Sequence, residues 1–307
     1  MTIACVVPTI RPAQHAAFVE AWASLFDRHN VQLITVWDGD TPRLDDGTTA
    51  ADILGADADL IYHRSDVCRN LGFAYIARCM PEVTHILTLD DDCFPRGDTI
   101  ADHLATLERR YPISWMSSSP EAYPRGFPYD IRDEAPAMVS HGVWYGNFDW
   151  DAQTQLQNGN APIDTFFRGP IPRGVLFPFC GMNVMIRREA LPLFYFAPQG
   201  PRVGFDGQVW DRFGDIWLGI TLKRALDRRN WAMVSGYAAV EHTRASDVHT
   251  NLKKEATGLE WNERFWSEGG AIHPYFEMYR DLRGRWAERI EQLMEHDTSL
   301  MEIAPWA

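Results

Sequence analysis

Apolar and polar positions alternate along the chain in a way that predicts buried strands separated by amphipathic helices. Residues 3–7 and 33–37 are short apolar runs typical of buried strands, and residues 13–27 between them carry apolar side chains at helical spacing. This helix is expected to bury four residues on one face, namely Ala16, Val19, Ala23 and Phe26. A strand, a helix and a second strand in this order predict a parallel sheet.

Later segments continue the pattern with one irregular stretch. Further strands are predicted at residues 60–62, 85–89, 176–186 and 231–240, and helices at 68–78, from Asp98 to about residue 111, from residue 213 through 225, and at 275–295. The last helix is expected to turn Phe276, Tyr279, Leu282, Trp286, Ile290 and Leu293 inward. Residues 114–162 have no regular period, so we expect loops there that build a sugar or acceptor pocket.

Three consecutive carboxylates, Asp90, Asp91 and Asp92, follow the predicted strand 85–89. Open α/β sheets bind ligands at the carboxyl ends of their strands, and adjacent carboxylates repel one another unless a cation or hydrogen-bond donors compensate. A hard divalent cation would compensate the three negative charges, and it could bind phosphate oxygens at the same time. The alternative is that the acids only cap a following helix, as Asp98 is placed to do.

Polar residues at the ends of two other predicted elements are expected at the same edge of the sheet as the three carboxylates. Asp38-Gly-Asp40 follows strand 33–37, and Arg69 and Asn70 begin helix 68–78, where free amides and the helix dipole favour a phosphate. The chain has no G-x-G-x-x-G after its first strand and no P-loop sequence, which excludes those two nucleotide fingerprints. The pattern therefore favours a nucleoside diphosphate held together with a metal.

Composition narrows the class of protein. The chain has 307 residues, 46% of them apolar, and a formal charge of -13, which argues against nucleic acid or an anionic membrane as the main partner. No apolar stretch approaches the roughly 18 to 20 residues of a membrane span. Five cysteines without a C-x-x-C pair, and an amino terminus unlike a signal peptide, predict reduced thiols in a cytoplasmic protein. Residues 296–307 are expected to form a loose tail.

Eight short motifs occur in order between residues 6 and 255. They are Val6-Val-Pro-Thr-Ile-Arg-Pro12, Asp38-Gly-Asp40, Thr88-Leu-Asp-Asp-Asp-Cys-Phe94, Val139-Ser-His-Gly-Val-Trp144, Asp149-Trp-Asp-Ala-Gln-Thr-Gln-Leu156, Phe177-Pro-Phe-Cys-Gly-Met-Asn183, Asp215-Ile-Trp217 and Asn251-Leu-Lys-Lys-Glu255. Together they resemble the reversibly glycosylated polypeptide family, whose plant members act as UDP-arabinopyranose mutases and which is grouped with glycosyltransferases of the GT-A fold. The resemblance is specific because all eight motifs stand in register.

The resemblance implies an α/β fold with one GT-A-like domain. Its central sheet would be mixed, mainly parallel and flanked by helices, with a helical extension at the carboxyl terminus. Residues 1–274 would form the catalytic domain that binds the nucleotide sugar, and residues 275–307 a helix and tail packed on it.

The resemblance also implies roles for individual residues. Asp90 and Asp92 would form a metal-binding D-x-D, with His242 as third ligand, and an imidazole beside carboxylates favours Mn²⁺ over Mg²⁺. Taken alone, His242 would be a structural histidine, Asp215 a helix cap and the two lysines of 251–255 a solvated face. The implied nucleotide-binding residues are Pro8, Thr9, Arg11, Asp38, Asp40, Arg69, Asn70, Asp91, Lys253 and Lys254, and the implied catalytic residues are Asp215, Asp91 and Arg168.

Two departures from the family pattern bear on the reaction. Residues 157–167 lack the arginine that family members carry after Thr-Gln-Leu and that takes a sugar reversibly, and Gly214 replaces an acid. We therefore expect a metal-dependent glycosyltransferase that moves a sugar from a UDP-sugar donor to an unidentified acceptor, or to water. The alternatives are a mutase that interconverts pyranose and furanose forms of a UDP-pentose, and a non-catalytic subunit that binds nucleotide sugar. The sequence does not decide whether the protein forms a homo-oligomer.

Overall fold

A computed structural model describes residues 1–116, 119–147, 150–159, 166–200, 203–205, 208–243, 247–268 and 273–301 of the chain. The strands are β1 (Thr2–Thr9), β2 (Val31–Trp37), β3 (Arg43–Leu44), β4 (Val83–Leu89), β5 (Cys93–Pro95), β6 (Arg110–Pro112), β7 (Glu134–Gly146), β8 (Gly169–Pro170), β9 (Asn183–Arg187), β10 (Gly204–Phe205), β11 (Gln208–Val209) and β12 (Ala232–His242). The α-helices are α1 (Pro12–His29), α2 (Ala50–Leu54), α3 (Asn70–Cys79), α4 (Thr99–Leu107), α5 (Ala152–Asn158), α6 (Gly214–Arg228), α7 (Val248–Ala256), α8 (Leu259–Glu268) and α9 (Pro274–Met301).

One large mixed sheet organises these elements. Its strand order is β3-β2-β1-β4-β9-β7-β12-β5, with β6 paired to β7 and β8 to β12. The longest pairings, β12 with β7 and β1 with β2, are parallel, and β9 runs antiparallel to both β4 and β7. The carboxyl ends of β1, β2, β4, β7 and β12 therefore share one edge with the amino end of β9. The prediction of a mixed α/β sheet flanked by helices is confirmed.

Strand alternation divides the core into two clusters, one on each face of the sheet. In β1, Ala4 and Val6 pack with α3, α6 and α9, while Ile3, Cys5 and Val7 pack on the other face with α1 and α4. A strand buried on both faces explains the nearly continuous apolar run at residues 3–7.

Helix α9 closes one face. Its six predicted inward residues are all buried, which confirms that prediction, and Tyr279 Oη donates to Tyr195 O at 2.9 Å. The helix continues to Met301, past the predicted end at residue 295 and into the expected tail. Residues 302–307 lie outside the described residues. None of the described helices combines the length and the apolar character that crossing a bilayer requires.

Of the four residues predicted to form the buried face of α1, Phe26 is buried and the other three are exposed. Phe18, Trp22, Leu25 and Phe26 are buried there, while Val19 is 36% exposed. Both sets of residues satisfy helical spacing, so the pattern alone does not choose between them. The set with the larger rings removes more apolar surface from water, and Trp22 also donates through Nε1 to Cys93 O at 2.8 Å.

The structure overturns the expectation of a loop around residues 134–146. Strand β7 spans 13 residues and lies between β9 and β12, inside the sheet. Ser140 and His141 interrupt its apolar pattern, yet both are buried. Their hydroxyl and imidazole form hydrogen bonds with His103 Nδ1 at 2.8 Å and Ser235 Oγ at 2.9 Å. Because these hydrogen bonds to residues distant in sequence satisfy their polar atoms, Ser140 and His141 can be buried in a central strand.

Two other predicted strands are also wrong in position or extent. Residues 60–62 do not form a strand, because a 3-10 helix at Gly55–Leu60 ends there and Tyr195 Oη bonds to Leu60 O at 2.7 Å. The edge position beside β2 belongs to β3 instead. Of residues 176–186, only the end from Asn183 onward joins the sheet, as β9.

Candidate functional site

A cavity of about 370 Å³ opens at the shared carboxyl edge of β1, β2 and β4, and we call it the donor cavity after the sugar donor that the family resemblance implies. Parallel pairing of β1 with both neighbours brings together the loops that follow the three strands. The cavity is lined by Pro8, Thr9, Ile10, Arg11, Asp38, Arg64, Ser65, Asp66, Cys68, Arg69, Asp90, Asp91, Asp92, Gln199, Asp211 and Lys254. Nine of the residues predicted from the sequence are among them.

Asp91 is an anchor for the loop after β1. Its carboxylate is 2% exposed, accepts from Thr9 Oγ1 at 2.5 Å and forms an ion pair with Arg11. Its main-chain carbonyl accepts from Gln14 Nε2 at 3.1 Å. These partners occupy the carboxylate and hold Thr9 and Arg11 in place, and the catalytic role of Asp91 stays a prediction.

Arg69 is buried and joins three segments of the chain. It donates to Thr88 Oγ1 at 3.1 Å, to Gly181 O at 3.0 Å and to Asp90 Oδ1 at 2.9 Å. Burial alone would lower the pKa of its guanidinium, but the charges of Asp90 and Asp66 raise it, so Arg69 carries a permanent charge at the cavity wall.

Asn70, the neighbour of Arg69, is not brought to the donor cavity. Its side chain is fully buried and donates to Phe194 O at 3.1 Å, on the core side of α3. The predicted contact between Asn70 and a nucleotide is therefore corrected, because helical geometry turns consecutive side chains in different directions.

Asp92 and His242 face each other at the edge of the sheet. Antiparallel pairing of β5 with β12 sets Cys93 opposite His242, and this places His242 Nε2 3.8 Å from Asp92 Oδ1. Nδ1 of His242 lies 2.7 Å from Asn147 O and donates to that carbonyl, which leaves Nε2 facing Asp92. Burial raises the pKa of Asp92, the charge of Asp90 raises it further, and His242 and Arg11 oppose the rise.

The three predicted metal ligands do not converge as a ready cluster. Asp90 pairs with Arg69 instead, and within the part of the chain that the structure describes, no three His, Cys, Asp or Glu side chains form a group able to hold a metal. The Asp92 and His242 pair nevertheless fits the donor set of a divalent transition metal, because a carbonyl fixes the tautomer of the imidazole.

The donor cavity carries an excess of negative charge. Its described lining contains six aspartates and four basic side chains. A diphosphate would meet a net repulsion in such a cavity unless a cation entered with it. Burial also raises the pKa of Asp38, against hydrogen bonds from the amides of Arg64 and Gly39.

Of three charged residues predicted to bind the nucleotide, one lies in the lining of the donor cavity and two lie outside it. Lys254 lines the donor cavity and pairs with Asp211 at 2.8 Å, whereas Lys253, the preceding residue of α7, lies outside the lining. Asp40 is 86% exposed and also lies outside, where it pairs with Arg64 at 2.9 Å. The predicted nucleotide contacts of Lys253 and Asp40 stay predictions, with neither residue in the lining.

Several lining residues had no signal in the sequence. Gln199 and Asp211 lie in segments without a period, and their approach to the cavity depends on contacts with Phe213 and Lys254. Arg64 and Asp66 had a weak signal, since both are charged residues directly after the apolar run 60–62. Contacts over long sequence separations brought all four to the site.

A second cavity of about 480 Å³ lies beside the first, and we call it the aromatic cavity. It is lined by Trp144, Trp150, Asp151, Pro178, Phe179, Cys180, Arg212, Phe213, Asp215, Ile216, Glu255, Leu259, Asn262 and Trp266. Asp215 lies in the first turn of α6 and not at the N-cap position, which is Phe213, and its carboxylate accepts from Gly181 N and Ile216 N, both at 2.9 Å. The lining draws on both the irregular segment 114–162 and α6 to α8.

Two features form the wall between the cavities. Lys254 pairs with Asp211 on the donor side, and the next residues of the same two segments, Glu255 and Arg212, pair at 2.8 Å on the aromatic side. Arg212 adopts φ +71°, a left-handed conformation that a non-glycine residue holds only when its surroundings enforce it. The peptide at Gly181 is the second feature, since its N–H donates to Asp215 and its carbonyl accepts from Arg69.

Arg168 does not reach either cavity. It is exposed in a separate depression with Trp115 and Pro120, and its charge acts on Asp102 of α4 and Tyr237 of β12. Its predicted catalytic role is corrected for this reason. Residues 160–165, which hold part of the segment without arginine, lie outside the described residues.

The sequence matches the profile of the family described as "Reversibly glycosylated polypeptide" over residues 2–277. The chain belongs to this family. Relatives of this family member include UDP-arabinopyranose mutase 3 of Arabidopsis thaliana, which is 32% identical over 287 residues covering 84% of this chain and 75% of that protein. A probable UDP-arabinopyranose mutase 1 of Pisum sativum is 31% identical over 299 residues, covering 89% and 76%. UDP-arabinopyranose mutase 1 of Oryza sativa is 31% identical over 287 residues, covering 84% and 74%.

Among solved structures, this family member is similar to a mutant of Drosophila β1,4-galactosyltransferase 7 in complex with manganese, UDP-Gal and xylobiose. That similarity has a TM-score of 0.35 and 12% identity, and covers 80% of this chain and 71% of the other. A second similar structure is A197 from STIV, with a TM-score of 0.33 and 9% identity, covering 81% and 87%.

Proposed function

We propose that this family member is a metal-dependent enzyme that breaks the anomeric C–O bond of a UDP-sugar and transfers the sugar to a separate acceptor. The observation that carries the proposal is the pair of adjoining cavities, one acidic and one aromatic, with Gly181 in the wall between them. A donor cavity alone would suit any nucleotide-sugar enzyme. An adjoining second cavity provides room for a second substrate.

Asp92 and His242 would hold the divalent cation, with Asp90 beside them. The bound cation would supply positive charge to the diphosphate, which the acidic lining otherwise repels. Lys254 and the buried Arg69 add fixed positive charge at the same wall. Charges held in place before reaction stabilise a departing diphosphate without reorganisation during bond cleavage.

The reaction has a simple balance. A hydroxyl oxygen of the acceptor forms a bond with C1 of the sugar, the bond between C1 and the β-phosphate oxygen breaks, and its electron pair leaves with UDP. The acceptor proton passes to a base, and Asp215 is the candidate because it lies in the aromatic cavity and is held by Gly181 at the dividing wall. With water in place of the acceptor, the same steps release free sugar and UDP.

A mutase is the second candidate, and the names of the relatives favour it. In that case C1 would leave UDP and rebind it through a ring of different size, with no net release of UDP. The absence of arginine from residues 157–167 and the distant position of Arg168 favour transfer instead.

Incubation with Mn²⁺ and a panel of UDP-sugars separates the two candidates. Transfer or hydrolysis releases free UDP, whereas a mutase converts UDP-arabinopyranose to a new isomer that chromatography resolves while UDP stays bound to the sugar. The proposal of transfer is refuted if the isomer forms and no donor in the panel releases UDP, with or without candidate acceptors. Mn²⁺-dependent UDP binding without either product would indicate a non-catalytic subunit.

A further inference from the structure

The aromatic cavity has walls of two kinds. Indole and phenyl rings of Trp144, Trp150, Phe179, Phe213 and Trp266 provide flat apolar surface, and Trp266 is 42% exposed on α8. Rings of this type bury the apolar C–H faces of a flat ligand at a low cost in side-chain entropy. The walls therefore suit a ligand that has a broad apolar face.

Hydrogen-bond acceptors line the rest of the cavity and are held in place before any ligand enters. Glu255 accepts from Ala152 N at 2.8 Å and from Arg212, Asp151 accepts from Thr154 N at 2.9 Å, and Asp215 is held by Gly181. Each carboxylate has further lone pairs, because two oxygens together offer about four acceptor sites. The ligand should therefore donate several hydrogen bonds from its edges.

Charge excludes several ligand classes. Three carboxylates line the aromatic cavity, and Arg212, the one basic side chain among its described lining residues, is paired with Glu255. Phosphorylated or carboxylated ligands would be repelled, and a purely apolar ligand would leave the carboxylates desolvated. A neutral saccharide meets each requirement, since its rings have apolar C–H faces and its hydroxyl groups donate at the edges.

We propose that the aromatic cavity binds a neutral saccharide, and that this saccharide is the acceptor. The statement that the saccharide is the acceptor rests on the proposed transfer function, whereas the statement that the cavity binds a saccharide does not. Asp215 would accept a hydrogen bond from the hydroxyl nearest the donor cavity, and Trp266 would pack against a sugar ring at the open side. The volume of about 480 Å³ is within the range of about 300–1,000 Å³ that is usual for small-molecule sites.

Direct binding tests the first part without any need for turnover. Maltose, cellobiose and xylobiose are titrated into the full-length protein with Mn²⁺ and UDP present, and saturation-transfer NMR reports contact with the sugar C–H protons. We expect at least one disaccharide to bind and Trp266→Ala to weaken its affinity about tenfold. Trp115→Ala is the matched control, because Trp115 is 58% exposed and lies away from both cavities.

The outcomes separate this inference from the proposed function. It is refuted if none of the disaccharides binds while UDP binds normally, or if the Trp266 and Trp115 variants bind equally well. Disaccharide binding that is lost in Trp266→Ala supports the cavity assignment even if no UDP-sugar is cleaved, in which case the transfer function fails alone. UDP release that yields a glycosylated basic peptide, and no glycosylated saccharide, would refute the saccharide as acceptor while keeping the transfer function.

Discussion

His242 faces Asp92 across the pairing of β12 with β5, with His242 Nε2 3.8 Å from Asp92 Oδ1. The two residues are 150 positions apart in sequence, and the strand pairing brings them together. Thr243 reinforces the arrangement, since its amide donates to Asp92 O at 3.1 Å. A hydrogen bond on the far side of the imidazole leaves one ring nitrogen available for a cation.

Removal of either side chain is expected to weaken metal binding. Asp92→Asn and His242→Gln should each lower Mn²⁺ affinity in the presence of UDP by at least about tenfold, because each deletes one donor to the cation. Titration followed by the electron paramagnetic resonance of free Mn²⁺ measures the change. His249→Gln, at an exposed position of α7, is the control. Affinities equal to that of the wild type in both test variants would exclude this pair as the metal site.

The adjacent lysines of α7 provide a matched test of the donor cavity. Lys254→Ala should weaken UDP binding about fivefold, since Lys254 lines the cavity and is 49% exposed, which limits its contribution through solvent screening. Lys253→Ala should change UDP affinity little. Calorimetric titration with UDP and Mn²⁺ gives both values, and the difference should shrink at high salt. An equal loss in both variants would indicate a diffuse charge effect instead of a local contact.

A side chain at Gly181 is expected to disturb both cavities. A Cβ atom there would lie 2.9 Å from the ring of Phe196 and 3.3 Å from Asp215 Cβ, so Gly181→Ala should shift the peptide that holds Arg69 and Asp215. We expect a loss of about 1–3 kcal/mol in the free energy of unfolding, together with reduced turnover. Urea denaturation and UDP release measure the two effects.

Gly284→Ala is the control for this substitution, because nothing lies within 4 Å of its added Cβ on α9. It should stabilise the protein by about 0.5–1 kcal/mol through helix propensity. If Gly181→Ala behaved in the same way, the Gly181 peptide would have no role in joining the cavities.

Acid is expected to destabilise the fold through His103. Burial lowers the pKa of His103 from 6.5 to about 4, against the hydrogen bond from its ring to Asn183. Above pH 6.5 the residue is neutral in both states. As the pH falls from 6.5 to 4 the unfolded chain binds a proton that folded His103 does not, so the free energy of unfolding should fall, on the order of 3 kcal/mol by pH 4.

Urea unfolding at several pH values measures this slope. His103→Asn should flatten it, although His141, whose pKa burial lowers to about 3, keeps part of the dependence. His249→Asn should leave the slope as in the wild type, because His249 is exposed. An unchanged slope in His103→Asn would assign the acid sensitivity to other groups.

Local pattern was sufficient for the acids, the closing helix and the four strands β1, β2, β4 and β12. Asp90, Asp91 and Asp92 follow a strongly apolar strand, so their place at its carboxyl end was predictable before any contact was known. The inward face of α9 was equally predictable, since its buried residues recur at helical spacing over about five turns. Family resemblance then added residues such as His242 and Lys254, which pattern alone would have left as structural or solvated.

Long-range contacts decided the rest. Strand β7 was hidden because Ser140 and His141 interrupt its pattern, and only partners on α4 and β12 make them acceptable in a core. The family resemblance implies a catalytic role for Asp91, but only the structure shows that Thr9 and Arg11 occupy its carboxylate. Lys253 and Lys254 are adjacent residues of the same type, so the sequence pattern does not tell them apart. Only the orientation of α7 in the fold places Lys254, and not Lys253, in the lining of the donor cavity.

The sequence by itself determined the buried faces of the strongly periodic segments and where charge accumulates, because hydrophobic burial and strand or helix periodicity act on neighbouring residues. Tertiary structure alone decided which charges meet, since ion pairs and hydrogen bonds join residues that the sequence places far apart, as with Asp92 and His242. It also decided that the acidic edge adjoins an aromatic cavity, because α6, α7 and α8 close around the end of β7 only in the folded chain.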